Sequence, residues 1–209
     1  MKPAFLMLWL VSVSGGCSKP LPEASPAVAA PPPPTTGTGR VVVGQAPPAV
    51  NGMSAIVILD PEPAREFSPQ AERPVMDQIN QMFTPDVLFV RTGQPVEFHN
   101  SDDELHNIDV KENTTKEQAF NAAIPMGGVY VFTFTQPGLY DVRCDIHSTM
   151  SALIVASPSP YAKLADADGH FEFDDVEAGP YTVRAYAGAA SLAQPIDVRG
   201  PRTDVSIKN

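Results

Sequence analysis

The chain has 209 residues, a net charge of −10, 18% charged residues and 23 prolines. Such a length suits one large or two small domains. The negative balance argues against a nucleic-acid binder, because phosphate recognition needs clustered Lys and Arg, and it permits a basic protein partner. Nine of the prolines lie between Pro20 and Pro48, so the excess belongs to one local stretch. The cysteines are Cys17 and Cys144. Their settings differ so much that no structural disulfide is expected, and the fold must rely on its core, helped by any bound metal.

Residues 1–16 have the layout of a signal peptide. Lys2 supplies a positive start, and Ala4 to Val13 is an apolar run of about ten residues, too short to span a bilayer. Ser14-Gly15-Gly16-Cys17 resembles a bacterial lipoprotein cleavage box, although Ser14 stands where leucine is usual. The resemblance implies that Cys17 becomes a lipid-carrying N-terminus and anchors the chain to a membrane. Ordinary secretion with cleavage near Ala30 is the alternative. Either route exports the mature chain, and the lipid-anchored route is expected to hold it in the periplasm. Ser18 is not the aspartate that retains lipoproteins in the inner membrane of enteric bacteria, so the outer membrane is the expected address. Residues 17–38 read as a lipidated Pro-rich linker without packed structure. The Pro31–Pro34 run is extended and stiff, and at about 3 Å per residue the linker reaches about 60 Å.

Gly39 to Asp60 reads as a hairpin, with Arg40–Val43 as one strand and Ser54–Leu59 as a second, apolar enough to be buried on both faces. Residues 61–74 are polar and proline-punctuated, and read as a loop. Val75 to Phe83 is expected to be one strand with Met82 and Phe83 near the core. Val87–Val90 and Pro95–Phe98 flank a turn at Thr92-Gly93. The acidic Asp102-Asp103-Glu104 precedes His106, and Ile108 and Val110 continue a strand. Lys111 to Gln118 is a polar surface loop, Val129 to Phe134 alternates as a strand, and Pro137-Gly138 turns the chain into the next one.

In that next strand Tyr140, Val142 and Cys144 share one face, and Asp141 and Arg143 the other. The sulfur is therefore expected to point inward at a strand end. His147 and Met150 follow within seven residues of the cysteine, and Ser151 to Ala156 is the last strand of this region. Each of these residues alone is commonplace: a buried thiol, a surface histidine, a methionine filling core space. Joined with the distant His106 they supply two imidazoles, a thiolate and a weak thioether, the ligand set of a blue-copper electron-transfer site.

The pattern Phe132-x-Phe134-x-x-Pro137-Gly138-x-Tyr140-x-x-x-Cys144-x-x-His147-x-x-Met150 resembles the ligand-loop segment of the cupredoxins, and its Cys-x-x-His-x-x-Met spacing is similar to that of amicyanin. The stretch from Val96 to His106-Asn107 also resembles the family, including the asparagine after the first histidine. The whole chain is similar to bacterial plastocyanin-like proteins of the methylamine-utilisation type. The resemblance implies a cupredoxin domain over residues 75–156, one type 1 copper held by His106, Cys144, His147 and Met150, bracing of the ligand loop by Asn107, and His147 as the electron gateway at the surface. A short His147-to-Met150 loop leaves little room for substrate, which favours electron passage over catalysis.

Other chemistries fit less well. Zinc has little use for methionine. A nitrite-reductase site would need a second set of about three ligands, for which His99 and His170 lack companions. Multicopper oxidases place histidines beside the cysteine, where Arg143 and Asp145 stand, and a dinuclear copper centre needs another loop cysteine. A Cys144–His147 nucleophile pair would leave Met150 and His106 without a role. Asp102-Asp103-Glu104 is either a solvated turn or a docking patch for a basic redox partner such as a c-type cytochrome or a dehydrogenase.

Within residues 157–209, Asp166-x-Asp168-Gly169-x-Phe171-x-Phe173-x-x-Val176-x-x-Gly179-x-Tyr181-x-Val183 resembles the second half of the carboxypeptidase-regulatory-like domain, and residues 39–60 resemble its first half. The expectation is one small prealbumin-like sandwich interrupted by the cupredoxin, because two or four short strands are marginal alone. The alternative is that residues 39–60 extend the cupredoxin sheets and 157–209 stand apart. Leu164 occupies the first ligand position of an EF-hand loop, so Asp166–Gly169 reads as a plain turn, not a calcium site. The expected fold is all-β: a Greek-key sandwich, a smaller sandwich and an N-terminal tether. The expected function is a membrane-tethered carrier of single electrons, not an enzyme. The alternative is a copper-holding or partner-binding module that does not cycle.

Overall fold

Alternating apolar and polar residues dictate strands through most of the chain after the linker, and the computed structural model, which describes residues 37–208, is built of little else. The signal-peptide reading, Cys17 and nearly all of the tether lie outside the described residues. Sixteen strands and no helix occur among the described residues. They are β1 (Val41–Gln45), β2 (Ile56–Pro61), β3 (Val75–Ile79), β4 (Met82–Thr84), β5 (Val87–Arg91), β6 (Pro95–Asn100), β7 (His106–Glu112) and β8 (Gln118–Ile124). The remainder are β9 (Val129–Thr133), β10 (Gly138–Arg143), β11 (Ser151–Ser157), β12 (Ala162–Leu164), β13 (His170–Phe173), β14 (Gly179–Ala187), β15 (Ala190–Val198) and β16 (Arg202–Ser206). The fold is all-β.

The strands form four sheets, ordered β4-β3-β6-β9, β5-β11-β10-β7-β8, β12-β2-β14-β15 and β13-β1-β16. Three apolar layers separate them in that sequence. Between the first and second sheets lie Met76, Phe83, Val96 and Phe98 against Leu88, Ile108, Val142 and Ile154. Between the second and third, Val155, Phe89, Leu139 and Leu153 meet Ile56, Ile58 and Tyr186. Between the third and fourth, Val57, Leu59, Tyr181 and Val183 meet Val42, Phe171 and Phe173. Strict alternation produces this stacking. In β11 Ile154 and Ala156 face one layer while Val155 faces the next. In β2 Val57 and Leu59 face one side and Ile56 and Ile58 the other. The apolar run in β2 is thus buried on both faces because it lies inside a stack of sheets.

The strands that precede the first two sheets pair with strands that follow them. β1 lies between β13 and β16, antiparallel to the first and parallel to the second. β2 lies between β12 and β14, antiparallel to both.

Several local expectations are corrected. Residues 39–60 do not form a hairpin, since β1 and β2 sit in different sheets and the chain crosses between them. Residues 75–83 do not form one strand. The chain reverses at Asn80 and Gln81, whose φ angles are 54° and 55°, and β3 pairs antiparallel with β4. Left-handed φ at both central positions is the turn that suits a two-residue hairpin, but Asn-Gln lacks the glycine that signals it. Phe83 enters the core, while Met82 is 57% exposed. β8 follows the polar segment and pairs antiparallel with β7, a strand that the sequence pattern does not mark. At Asp166–Gly169 the chain makes a tight turn: the Gly169 N–H donates to Asp166 O at 3.0 Å, with φ at Gly169 of 94°, a conformation that favours glycine.

Candidate metal centre

β10 carries Tyr140 and Val142 inward and delivers Cys144, which is 3% exposed, to the apolar layer between the first and second sheets. The following turn is closed by its own backbone. The Met150 N–H donates to His147 O at 3.0 Å, and the Cys144 N–H to Met150 O at 3.3 Å. The His147 N–H donates to the Cys144 sulfur at 3.4 Å. Met150 is buried in the same apolar cluster as Cys144.

His106 opens β7 and is fully buried. The loop before it is shaped by buried Asn100, whose Nδ2 donates to Glu104 O at 2.9 Å and to Ile124 O at 2.8 Å. Its Oδ1 accepts the Asp102 N–H at 3.1 Å. The geometry brings His106, Cys144 and His147 together. The two Nδ1 atoms are 2.9 Å apart, and each lies 4.0 Å from the Cys144 sulfur. The imidazoles come from elements far apart in the chain, and only the His147 ring reaches solvent, at 21% exposure.

Asn107 ties the cysteine turn to β7. Its Oδ1 accepts the Asp145 N–H at 2.7 Å and lies 3.4 Å from the Cys144 sulfur. Its Nδ2 donates to Asp145 Oδ2 at 2.8 Å and to Asn121 Oδ1 at 3.0 Å. Asn121 Nδ2 also donates to Asp145 Oδ2, at 3.0 Å. These donors, Asn121 first and then Asn107, hold the Asp145 carboxyl below its ordinary range. A lowered pKa means that the folded chain binds the Asp145 proton less tightly than the unfolded chain does. The resulting stability is complete above the unfolded carboxyl pKa, about 4, and drains as pH falls through the lower folded value. Urea midpoints of the metal-free protein are expected to fall on going from about pH 5 to about pH 3, and Asp145→Asn should flatten part of that fall.

Two residues of the acidic run face the outward nitrogens of the histidines, a pairing that net charge alone does not reveal. Asp102 Oδ2 lies 2.8 Å from His106 Nε2, and Glu104 Oε2 lies 3.5 Å from His147 Nε2. Burial acts to raise the Asp102 carboxyl, but N–H donation from Gln81, His106 and Asn80 outweighs it, and the net displacement is downward. The signal for this role was the three-residue gap between Asp102 and His106, which in a loop can fold the carboxylate back onto the ring. His99 and His170 stay apart from the site: His99 bonds Glu97 at 2.9 Å, and His170 is exposed beside Asp166.

The donor set fits a transition metal that accepts nitrogen and sulfur. The Nε2 of His106 faces the Asp102 carboxylate, and its Nδ1 faces the second imidazole and the sulfur. His106, Cys144 and His147 each offer a donor atom close enough to the others to hold one metal ion.

Residues 73–156 match the family model for copper binding proteins of the plastocyanin/azurin family, a match that covers less than half of the chain. This segment is therefore similar to that copper-binding family. No curated protein matches the chain. Among solved structures the chain is similar to amicyanin from Paracoccus versutus, with 19% identity over 42% of this chain and 84% of that one and a TM-score of 0.38. It is similar to the copper-containing nitrite reductase of Thermus scotoductus, with 28% identity over 48% of this chain and 27% of that one and a TM-score of 0.38. It is also similar to a purple cupredoxin from Nitrosopumilus maritimus, with 20% identity over 40% of this chain and 99% of that one and a TM-score of 0.37.

Proposed function

We propose that this protein carries single electrons, holding one type 1 copper ion through His106, Cys144, His147 and Met150. The observation that carries the reading is the meeting of two imidazole Nδ1 atoms and one sulfur within 4.0 Å in a segment that matches a copper-binding family. Copper bound there supplies a one-electron couple. The protein residues keep the donors in place: the backbone bonds within 144–150 close the turn, and Asn107 clamps it to β7. Burial of His106, Cys144 and Met150 leaves His147 as the edge nearest solvent, an arrangement suited to electron passage and poor for seating a substrate.

Leu105 and Ile146, 50% and 49% exposed, follow and precede the acidic and ligand residues at the rim. With Asp103 and Glu104 they suit a basic redox protein, such as a c-type cytochrome or a dehydrogenase, whose on-rate falls with salt. A lipid on Cys17 would keep the carrier at a membrane in the periplasm. The third and fourth sheets make a carboxypeptidase-regulatory-like domain interrupted by the cupredoxin, a reading supported by the pairing of β1 and β2 with β12, β13, β14 and β16.

Cu(II) added to the metal-free full chain should produce an intense visible colour at one equivalent, bleach with a mild reductant and return on oxidation. Pale binding, or colour that does not return, would overturn the carrier reading and leave a copper-holding protein.

A further inference from the structure

The carboxylate of Asp102 has contacts that an acidic loop residue does not need. Oδ1 accepts the Asn80 N–H at 2.6 Å. Oδ2 accepts the Gln81 N–H at 2.9 Å and faces His106 Nε2 at 2.8 Å. Asn80 and Gln81 are the two left-handed residues that reverse the chain between β3 and β4. Their amides therefore point at one acceptor, and that acceptor is thereby fixed in front of the imidazole. The side chain of Asp102 is 12% exposed, and that of His106 is fully buried. Little water is available to compete for this bond.

We infer that Asp102 is a positioning residue for the metal centre: held by the β3–β4 turn, it fixes the proton of His106 on Nε2, turns the Nδ1 lone pair inward, and lowers the reduction potential of the site. The inference rests on the copper reading above. A carboxylate hydrogen-bonded to a ligating imidazole makes the ring a stronger donor, and its negative charge, close and poorly hydrated, favours the more highly charged oxidised ion. Glu104 is the internal contrast. It lies 3.5 Å from His147 Nε2 with its side chain 42% exposed, so solvent screens it.

The test uses Asp102→Asn, with Glu104→Gln as the comparison. In the metal-free wild type, ¹⁵N NMR of the histidine rings should find the His106 proton on Nε2; a proton on Nδ1 overturns the inference without reference to copper. In the copper-loaded full chain, Asp102→Asn should lower the Cu(II):Cu(I) ratio at a fixed ambient potential about tenfold, equivalent to a rise of about 59 mV for a one-electron couple. Glu104→Gln should change that ratio less than about twofold, since an exposed pair is weak. A coloured Asp102→Asn protein with an unaltered ratio sinks the role of Asp102 and leaves the carrier reading standing. A wild type that takes no copper sinks the carrier reading, and the proton position on His106 still decides whether Asp102 holds the ring.

Discussion

Replacing Cys144 with serine is expected to abolish the intense Cu(II) colour and to leave the metal-free protein folded. The hydroxyl is nearly the size of the thiol and inherits polar neighbours, the His147 N–H and Asn107 Oδ1, both 3.4 Å from the sulfur. The metal-free variant should therefore lose only about 1 kcal/mol, the usual worth of a hydrogen-bond rearrangement. A serine oxygen is a hard donor, poorly matched to a copper couple that visits Cu(I). Absorption after Cu(II) addition reads the first effect and urea unfolding the second. Persistent colour in the variant would show that the sulfur is not a ligand.

The second large effect lies far from the pocket. Val155 is fully buried where the second and third sheets meet, against Ile56 and Ile58. An aspartate there would place a charge between two apolar faces with no partner, at a cost of about 3–5 kcal/mol. That is a large part of the 5–15 kcal/mol by which most domains are stable. Val155→Asp should therefore lose folded signal in urea well below the wild-type midpoint. An unchanged midpoint would mean that the two sheets do not pack through this layer. The same layer predicts that residues 73–156 expressed alone are poorly soluble, because Phe89, Leu139, Leu153 and Val155 would face water.

The strand content and the inward direction of Cys144 were legible because both depend on alternation, a local property: Tyr140, Val142 and Cys144 occupy one face and are all buried. The donor types at 106, 144, 147 and 150 could be read for the same reason, since they are a matter of residue identity. What could not be read depends on partners distant in the chain. The reversal at Asn80-Gln81 is held by Asp102, more than twenty residues away, so no local punctuation marks it. The separation of β1 from β2 follows from the pairing of each with strands beyond residue 160. The acidic run before His106 looked like diffuse charge until the loop bonds of Asn100 aimed Asp102 at one ring and Glu104 at the other.

Strand order has a consequence for the way this chain comes together. β1 and β2 are made first, yet every strand that hydrogen-bonds to them follows β11. Until Ala162 and the residues beyond it have emerged, Ile56–Leu59 is an apolar edge with nowhere to zip, the kind of segment on which nascent chains stick to one another. The intervening segment, whose own pairings close among residues 75–157, can finish folding during that wait. Once formed, β11 offers Val155 as a docking surface for the waiting strand. The insert would then act as a template on which its interrupted neighbour is completed.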